Sequence, residues 1–320
     1  MSTAGGEGVA RVAGRASGAP PSTAPPSTAL LTKVKSKLFI VAHRKSWGLL
    51  DGEYASVFRG RSLDYDDLRD YIPGDEIRDI DWKATARHGA PLVKRYIASR
   101  KQKVLLVVDT GRGMAARTTS GEPKSAVAVT ACGMLGYLAL RHGDNVGLVE
   151  GDVRDTRPHE LKGTEAHLER LLREIARRTT LQSGRSRLTD QLRYVGDHYR
   201  QRMLLVVVAD DHEVSGDDVA LIRRLHAQHE ILWLTVEDAD PTQSGPGESA
   251  FDVDDDALLP PEVRFDARLR VAYATAVQQR RDSLERTLDR VGIVHSRVGS
   301  SDAVLSTVFR LLERQRRRGR

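Results

Sequence analysis

The rhythm of apolar and polar positions changes near residue 100. Beyond it, short unbroken apolar runs recur: KVLLVVD at 103–109, NVGLVE at 145–150, MLLVVVAD at 203–210, ILWLTV at 231–236 and IVHSRV at 293–298. Runs of this length without alternation predict parallel strands buried on both faces. Helical segments are predicted between them, over about 123–141, 164–177, 190–200, 217–228, 272–291 and 301–316. The segment VRDTRPHE at 153–160 predicts a hairpin return beside the second strand, and Pro158 suits an edge. Strands alternating with helices predict a doubly wound, mostly parallel α/β sheet over 101–320. Residues 239–262, rich in Asp, Gly and Pro, predict a long surface loop.

Before residue 100 the pattern is different. Residues 1–28 are Gly, Ala, Ser, Thr and Pro with almost no large apolar groups, so they bury too little to offset their ordering entropy and predict a disordered tail. Over 29–47, Leu31, Val34, Leu38 and Val41 recur at helical spacing and predict a short amphipathic helix packed on the body. Residues 48–100 show no clean period. Turn signals at Asp51-Gly52, Arg59-Gly60, Pro73-Gly74-Asp75 and His88-Gly89 separate short β-like pieces, YASVF and LVKRYI. Residues 29–100 therefore read as a helix and a β-rich extension of the larger sheet, with Trp82 as a buried anchor and Asp75, Arg78, Asp79, Asp81 and Arg87 in internal ion pairs.

Charge sharpens this picture. The net charge of +6 is not spread over the chain: residues 1–50 carry seven Lys/Arg against one acid, and 310–320 carry six Arg against one acid. The centre is mildly acidic, which argues against a nucleic-acid-binding face. The single cysteine, Cys132, excludes an intrachain disulfide, fits a reducing compartment, and reads as a core thiol within SAVAVTACGMLGYLAL. Apolar runs fall short of the roughly 20 residues of a membrane span, and the first twenty residues hold no apolar signal core. The expectation is a cytoplasmic protein.

Ligands of open α/β sheets sit at the carboxyl ends of the strands, where strand order reverses. Asp109 ends the first buried run, Asp210 and Asp211 end MLLVVVAD, and Thr189 with Asp190 stands where a loop enters a helix. Hard oxygen donors of this kind suit Mg²⁺. A capping role for Asp109 with no ligand accounts for the same residue. VLLVVDTGRGMAA also parses as a strand followed by Gly111-x-Gly113-x-x-Ala116, a dinucleotide fingerprint, but Asp109 would lie against the pyrophosphate and no acid follows about 20 residues on. There is no HExxH, nucleophile elbow or Walker lysine motif. Asp210-Asp211-His212-Glu213 reads as an exposed turn, and His226-x-x-His229 lacks a third ligand.

The alternation, with Asp109 at the first strand's end, resembles a von Willebrand factor A domain. That family's metal-ion-dependent adhesion site uses Asp-x-Ser-x-Ser, a Thr from a second loop and an Asp from a third. Here the first motif reads Asp109-Thr110-Gly111-Arg112-Gly113; Thr189 and Asp210 match the others by spacing. Glycines at 111 and 113 remove two hydroxyl ligands, leaving either a degenerate site completed by water or a metal-free crevice. The segment GEYASVFRGRSLDYDDLRDYIPGDEIRDIDWKATAR at 52–87 resembles the signature of the bacterial domain of unknown function 58 family, which joins such a segment to a von Willebrand A-like domain. The resemblance implies a non-enzymatic interaction or adaptor protein that partners a MoxR-type AAA+ ATPase in assembling or activating other proteins. The partner would meet Asp109, Arg112 and Asp211, directly or through Mg²⁺ held by Asp109, Thr189 and Asp210. The competing expectation is a metal- or dinucleotide-dependent enzyme using the same crevice.

Overall fold

The computed structural model describes residues 29–41, 52–54, 67–72, 80, 82–95, 101–211, 215–240, 251–253, 257–258 and 266–318. Its centre is a six-stranded sheet built from β3 (Lys103–Asp109), β4 (Asn145–Gly151), β5 (Thr156–Lys162), β6 (Leu204–Ala209), β7 (Glu230–Val236) and β10 (Val294–Val298). The strand order is β10-β7-β6-β3-β4-β5, parallel except for the antiparallel edge pair β4–β5. Pro158 lies on that edge strand, where its missing N–H costs no ladder bond.

Alternation along the buried strands makes two core layers. Val104, Leu106 and Val108 of β3 face one layer; Leu105 and Val107 face the other. The first layer is covered by α1 (Leu30–Val41), α3 (Lys124–Arg141), α4 (Glu165–Arg178) and α8 (Val304–Arg318). The second is covered by α5 (Leu188–His198), α6 (Gly216–Gln228) and the carboxyl-terminal half of α7 (Ala267–Val291), through Leu284 and Leu288. Helices on both faces of a mostly parallel sheet give the doubly wound α/β class that the alternating runs predict. Cys132 lies in α3, fully buried, and burial pushes its thiol up to about 12.

The amino-terminal helix packs on the body as its spacing predicts. Leu31, Val34 and Leu38 are buried in the first layer, and the Glu169 carboxylate accepts the N–H groups of Leu30 (3.1 Å) and Leu31 (2.7 Å). The predicted helix reaches residue 47, whereas the described helix ends at Val41.

Two expectations for the extension are overturned. β1 (Asp67–Asp70) and β2 (Leu92–Arg95) pair antiparallel in a sheet of their own, so they do not prolong the larger sheet. Trp82, the first residue of α2 (Trp82–His88), is 64% exposed and is not a buried anchor. Asp75, Arg78, Asp79 and Asp81, the 1–28 tail and the YASVF piece beyond Tyr54 lie outside the described residues, and Arg87 is exposed. Within the predicted 239–262 loop, β8 (Phe251–Asp252) and β9 (Ala257–Leu258) form a minimal antiparallel pair.

Candidate functional site at the strand ends

The chain runs β3–β4–β5 to one side of the sheet, then returns to lay β6 on the other side of β3. The order therefore reverses between β3 and β6, whose carboxyl ends carry Asp109 and Asp210. This is the crevice in which ligands of such sheets gather.

Asp109 is 3% exposed, and its Oδ1 accepts the N–H of Gly111 at 2.7 Å, an Asx turn that bends the chain off the strand. A 3-10 turn, Arg112–Ala115, follows, and α3 opens only at Lys124. The Gly-x-Gly stretch therefore does not lead straight into a helix N-terminus, as a dinucleotide site requires. Thr110 faces inward and donates to the buried Glu150 carboxylate (2.8 Å), which also accepts from Arg178 Nε (3.0 Å). The Arg112 backbone N–H donates to the Gly184 carbonyl (2.8 Å), drawing the first loop onto the 180–187 loop.

That closeness explains the two glycines. A Cβ at Gly111 would lie 2.5 Å from the backbone N and 2.6 Å from Oγ of Ser186; one at Gly113 would lie 2.8 Å from Ser186 Oγ and 3.1 Å from Asp210 Oδ2. At Gly111 the overlap is with backbone, which cannot yield, so that position requires glycine; at Gly113 it is with the side chains of Ser186 and Asp210. The Ser186 Oγ is buried and has no hydrogen-bond partner among the described residues.

Thr189 stands elsewhere in function. It lies inside α5, and its hydroxyl donates to Asp218 Oδ1 (2.8 Å) at the start of α6, where Ser215 and Asp218 form a capping box. The hydroxyl of the second loop that abuts Gly111 and Gly113 is Ser186, which sequence spacing missed. The signal was present in SGRSRLTD, where Ser186 belongs to the turn and Thr189 to the helix.

Asp210 has both oxygens engaged: Oδ1 accepts the Asp211 N–H at 2.6 Å, and Oδ2 accepts from Lys124 Nζ at 2.8 Å. Lys124 is fully buried and also pairs with Asp238, the second residue after β7. Burial works against the Lys124 charge, but Asp210 and Asp238 outweigh it and raise its pKa. Burial also raises Asp210, against the pull of Lys124. Asp238 is pushed up to about 7 by burial and the adjacent Asp210 charge, although its side chain keeps 44% exposure. Asp211 is held by Arg297, with Nη1 at 2.8 Å from Oδ1, and by Arg281 at 3.3 Å. Burial opposes the Arg297 charge, while Asp211, Glu237 and Glu285 raise its pKa.

The residues present do not fit a divalent cation. Positions 111 and 113 offer no hydroxyl, the Thr110 hydroxyl is turned to Glu150, the space beside the glycines is filled by Ser186, and the Lys124 ammonium holds Asp210 Oδ2. Asp109 and Asp210 are brought to one crevice; Asp211 is tied into the Arg297 network; Arg112 is half-buried. His226, in the last turn of α6, and His229, just after it, precede β7 and so lie at the amino ends of the strands, opposite to the crevice. His212 and Glu213 lie outside the described residues.

The crevice has a rim of different character. Val153 donates its N–H to the Arg185 carbonyl (3.0 Å), and Arg154 Nη1 donates to the Gln182 carbonyl (3.0 Å), so the 152–155 and 180–187 loops form one ledge. Val153 (43%) and Leu181 (60%) are exposed there, beside exposed Arg154 and Arg185. No described helix is long and apolar enough to cross a membrane.

The uncharacterized proteins Rv1480 of Mycobacterium tuberculosis and Mb1516 of Mycobacterium bovis are each 26% identical over 284 residues, spanning 88% of this chain and 88% of theirs. Among solved structures, an aerotolerance-related membrane protein from Bacteroides fragilis superposes with a TM-score of 0.42 at 13% identity, over 67% of this chain and 99% of that one. A von Willebrand factor type A protein from Catenulispora acidiphila gives 0.40 at 10% identity, over 68% of this chain and 43% of that one. The family model described as "Protein of unknown function DUF58" matches residues 67–283, more than half of the sequence, and the chain belongs to that family.

Proposed function

We propose that this protein is a non-enzymatic interaction protein that docks a MoxR-type AAA+ ATPase at the strand-end rim. The observation that carries the reading is the composition of the ledge: exposed Val153 and Leu181 flanked by Arg154 and Arg185, beside a crevice in which Asp210, Asp211 and Asp238 are already matched by internal cations. Arginines are among the residues that carry most of the binding energy at interfaces, and apolar groups beside them exclude water from those contacts. The loops beneath them are fixed to one another by backbone hydrogen bonds, so little ordering entropy opposes docking. The partner surface that fits is apolar and acidic. Asp109 and Asp211 act in this reading by shaping the loops rather than by touching the partner, and Arg112 lies where the crevice meets the rim.

The test is capture of the purified MoxR-type ATPase of the same organism on the immobilised chain. Wild type recovers it, and Arg185→Glu and Leu181→Asp recover at least tenfold less, with unchanged thermal midpoints. Undiminished recovery by both variants would refute the rim as the docking surface. Asp109→Ala, which loosens the first loop, reduces recovery equally with and without EDTA.

A further inference from the structure

We propose that the ammonium of Lys124 is the resident cation of the strand-end crevice, a tethered substitute for a divalent metal that holds the loops in one metal-independent arrangement. This concerns the cation alone and does not depend on who the partner is.

Nothing in the helix or the core asks for a lysine at this place. Lys124 is the first residue of α3, the end of a helix where a positive charge is disfavoured. It is fully buried, and an ammonium taken out of water is costly unless paired. Its pairing is specific: Asp210 follows β6 and Asp238 follows β7, so one side chain ties the ends of two neighbouring strands to the start of α3. A divalent ion in such a crevice would perform that same cross-linking.

The rest of the site is consistent with the exchange. Glycines at 111 and 113 withdraw the hydroxyls that a metal would use, and Ser186 closes over the gap they leave. Asp238 keeps 44% exposure of its side chain, so a cation from solvent has a way in once the lysine is gone.

The probe is Mn²⁺, read by its electron paramagnetic resonance signal and by the thermal midpoint. Wild type leaves the Mn²⁺ signal undiminished, and its midpoint does not move. Lys124→Ala strands two acids, lowers the midpoint by roughly 10 °C, and regains part of that loss with Mn²⁺. Lys124→Ala/Asp210→Asn/Asp238→Asn removes the acids as well; it is more stable than Lys124→Ala and indifferent to Mn²⁺. Should Lys124→Ala not fold, the wild-type resonance and recovery of folding in the triple variant carry the test. The proposal is overturned if wild type sequesters one Mn²⁺, if folded Lys124→Ala shows no response to Mn²⁺, or if the triple variant is no more stable than the single one.

Discussion

At the scale of single residues, the crevice is explained by what is absent from two side chains and present in two others. Gly111 and Gly113 signalled an incomplete metal motif in the sequence, and their spacing gave no reason for it. The reason is Ser186, whose backbone and hydroxyl lie where a Cβ would go. Restoring the motif should therefore fail: Gly111→Ser is expected to cost about 1–3 kcal/mol by overpacking, without creating Mn²⁺ affinity, as chemical denaturation and metal titration would show. Ser186 and Lys124 went unread for different reasons. Ser186 competed with a nearby Thr189 at a plausible helix start, and only the fold shows which hydroxyl faces the first loop. Lys124 carried a faint signal, a cation directly after Pro123 at a helix beginning, but its two acids are 86 and 114 positions away and no local pattern links them. Asp238 also makes stability pH-dependent. Its carboxyl is raised to about 7, so its contribution is complete below the ordinary carboxylate range and is lost as pH rises through about 7. Asp238→Asn removes this dependence: urea unfolding at pH 5 and pH 8 should show wild type losing stability relative to the variant at the higher pH. Cys132 should resist iodoacetamide in the native protein and react only on unfolding, because burial keeps it protonated.

At the scale of elements, the regular part was legible. Unbroken apolar runs fixed β3, β6 and β7 to within a residue or two, because a strand buried on both faces leaves no room for polar positions. The edge strand β5 was placed three residues early, since its register is set by a turn rather than by burial. α7 begins at Ala267, five residues before its predicted start, because Asp266 caps it by accepting from Arg268 and Leu269 N–H groups. The amino-terminal helix depends on a tertiary cap that no local sequence rule supplies: Glu169 of α4 receives its first N–H groups. Glu169→Ala is expected to cost about 1 kcal/mol and to raise hydrogen exchange in α1 ahead of the sheet. The small β1–β2 unit was misjudged because short strands flanked by charge carry no sign of which sheet they join. Trp82, exposed beside it, should be replaceable by Ala with a stability change within about 0.5 kcal/mol. If that unit shares in docking, the same change lowers capture of the ATPase.

At the scale of the whole molecule, a doubly wound sheet brings the ends of β3, β6 and β7 together, and the chain uses the junction in an unusual manner. Internal cations meet four of its acids: Arg178 serves Glu150, Lys124 serves Asp210 and Asp238, and Arg297 serves Asp211, while Asp109 accepts the Gly111 N–H. What faces outward is the ledge of Val153, Arg154, Leu181 and Arg185. In the proposed reading, a crevice whose acids are largely paired from within, rimmed by apolar and basic groups, holds its shape for a partner. The central claim is that this shape needs no metal. Its most direct test is the dissociation constant of the purified chain for the nucleotide-free MoxR-type ATPase, measured by calorimetry in EDTA and in Mg²⁺. The account predicts binding with the same constant in both. No binding, or binding that vanishes in EDTA and returns with Mg²⁺, would contradict it.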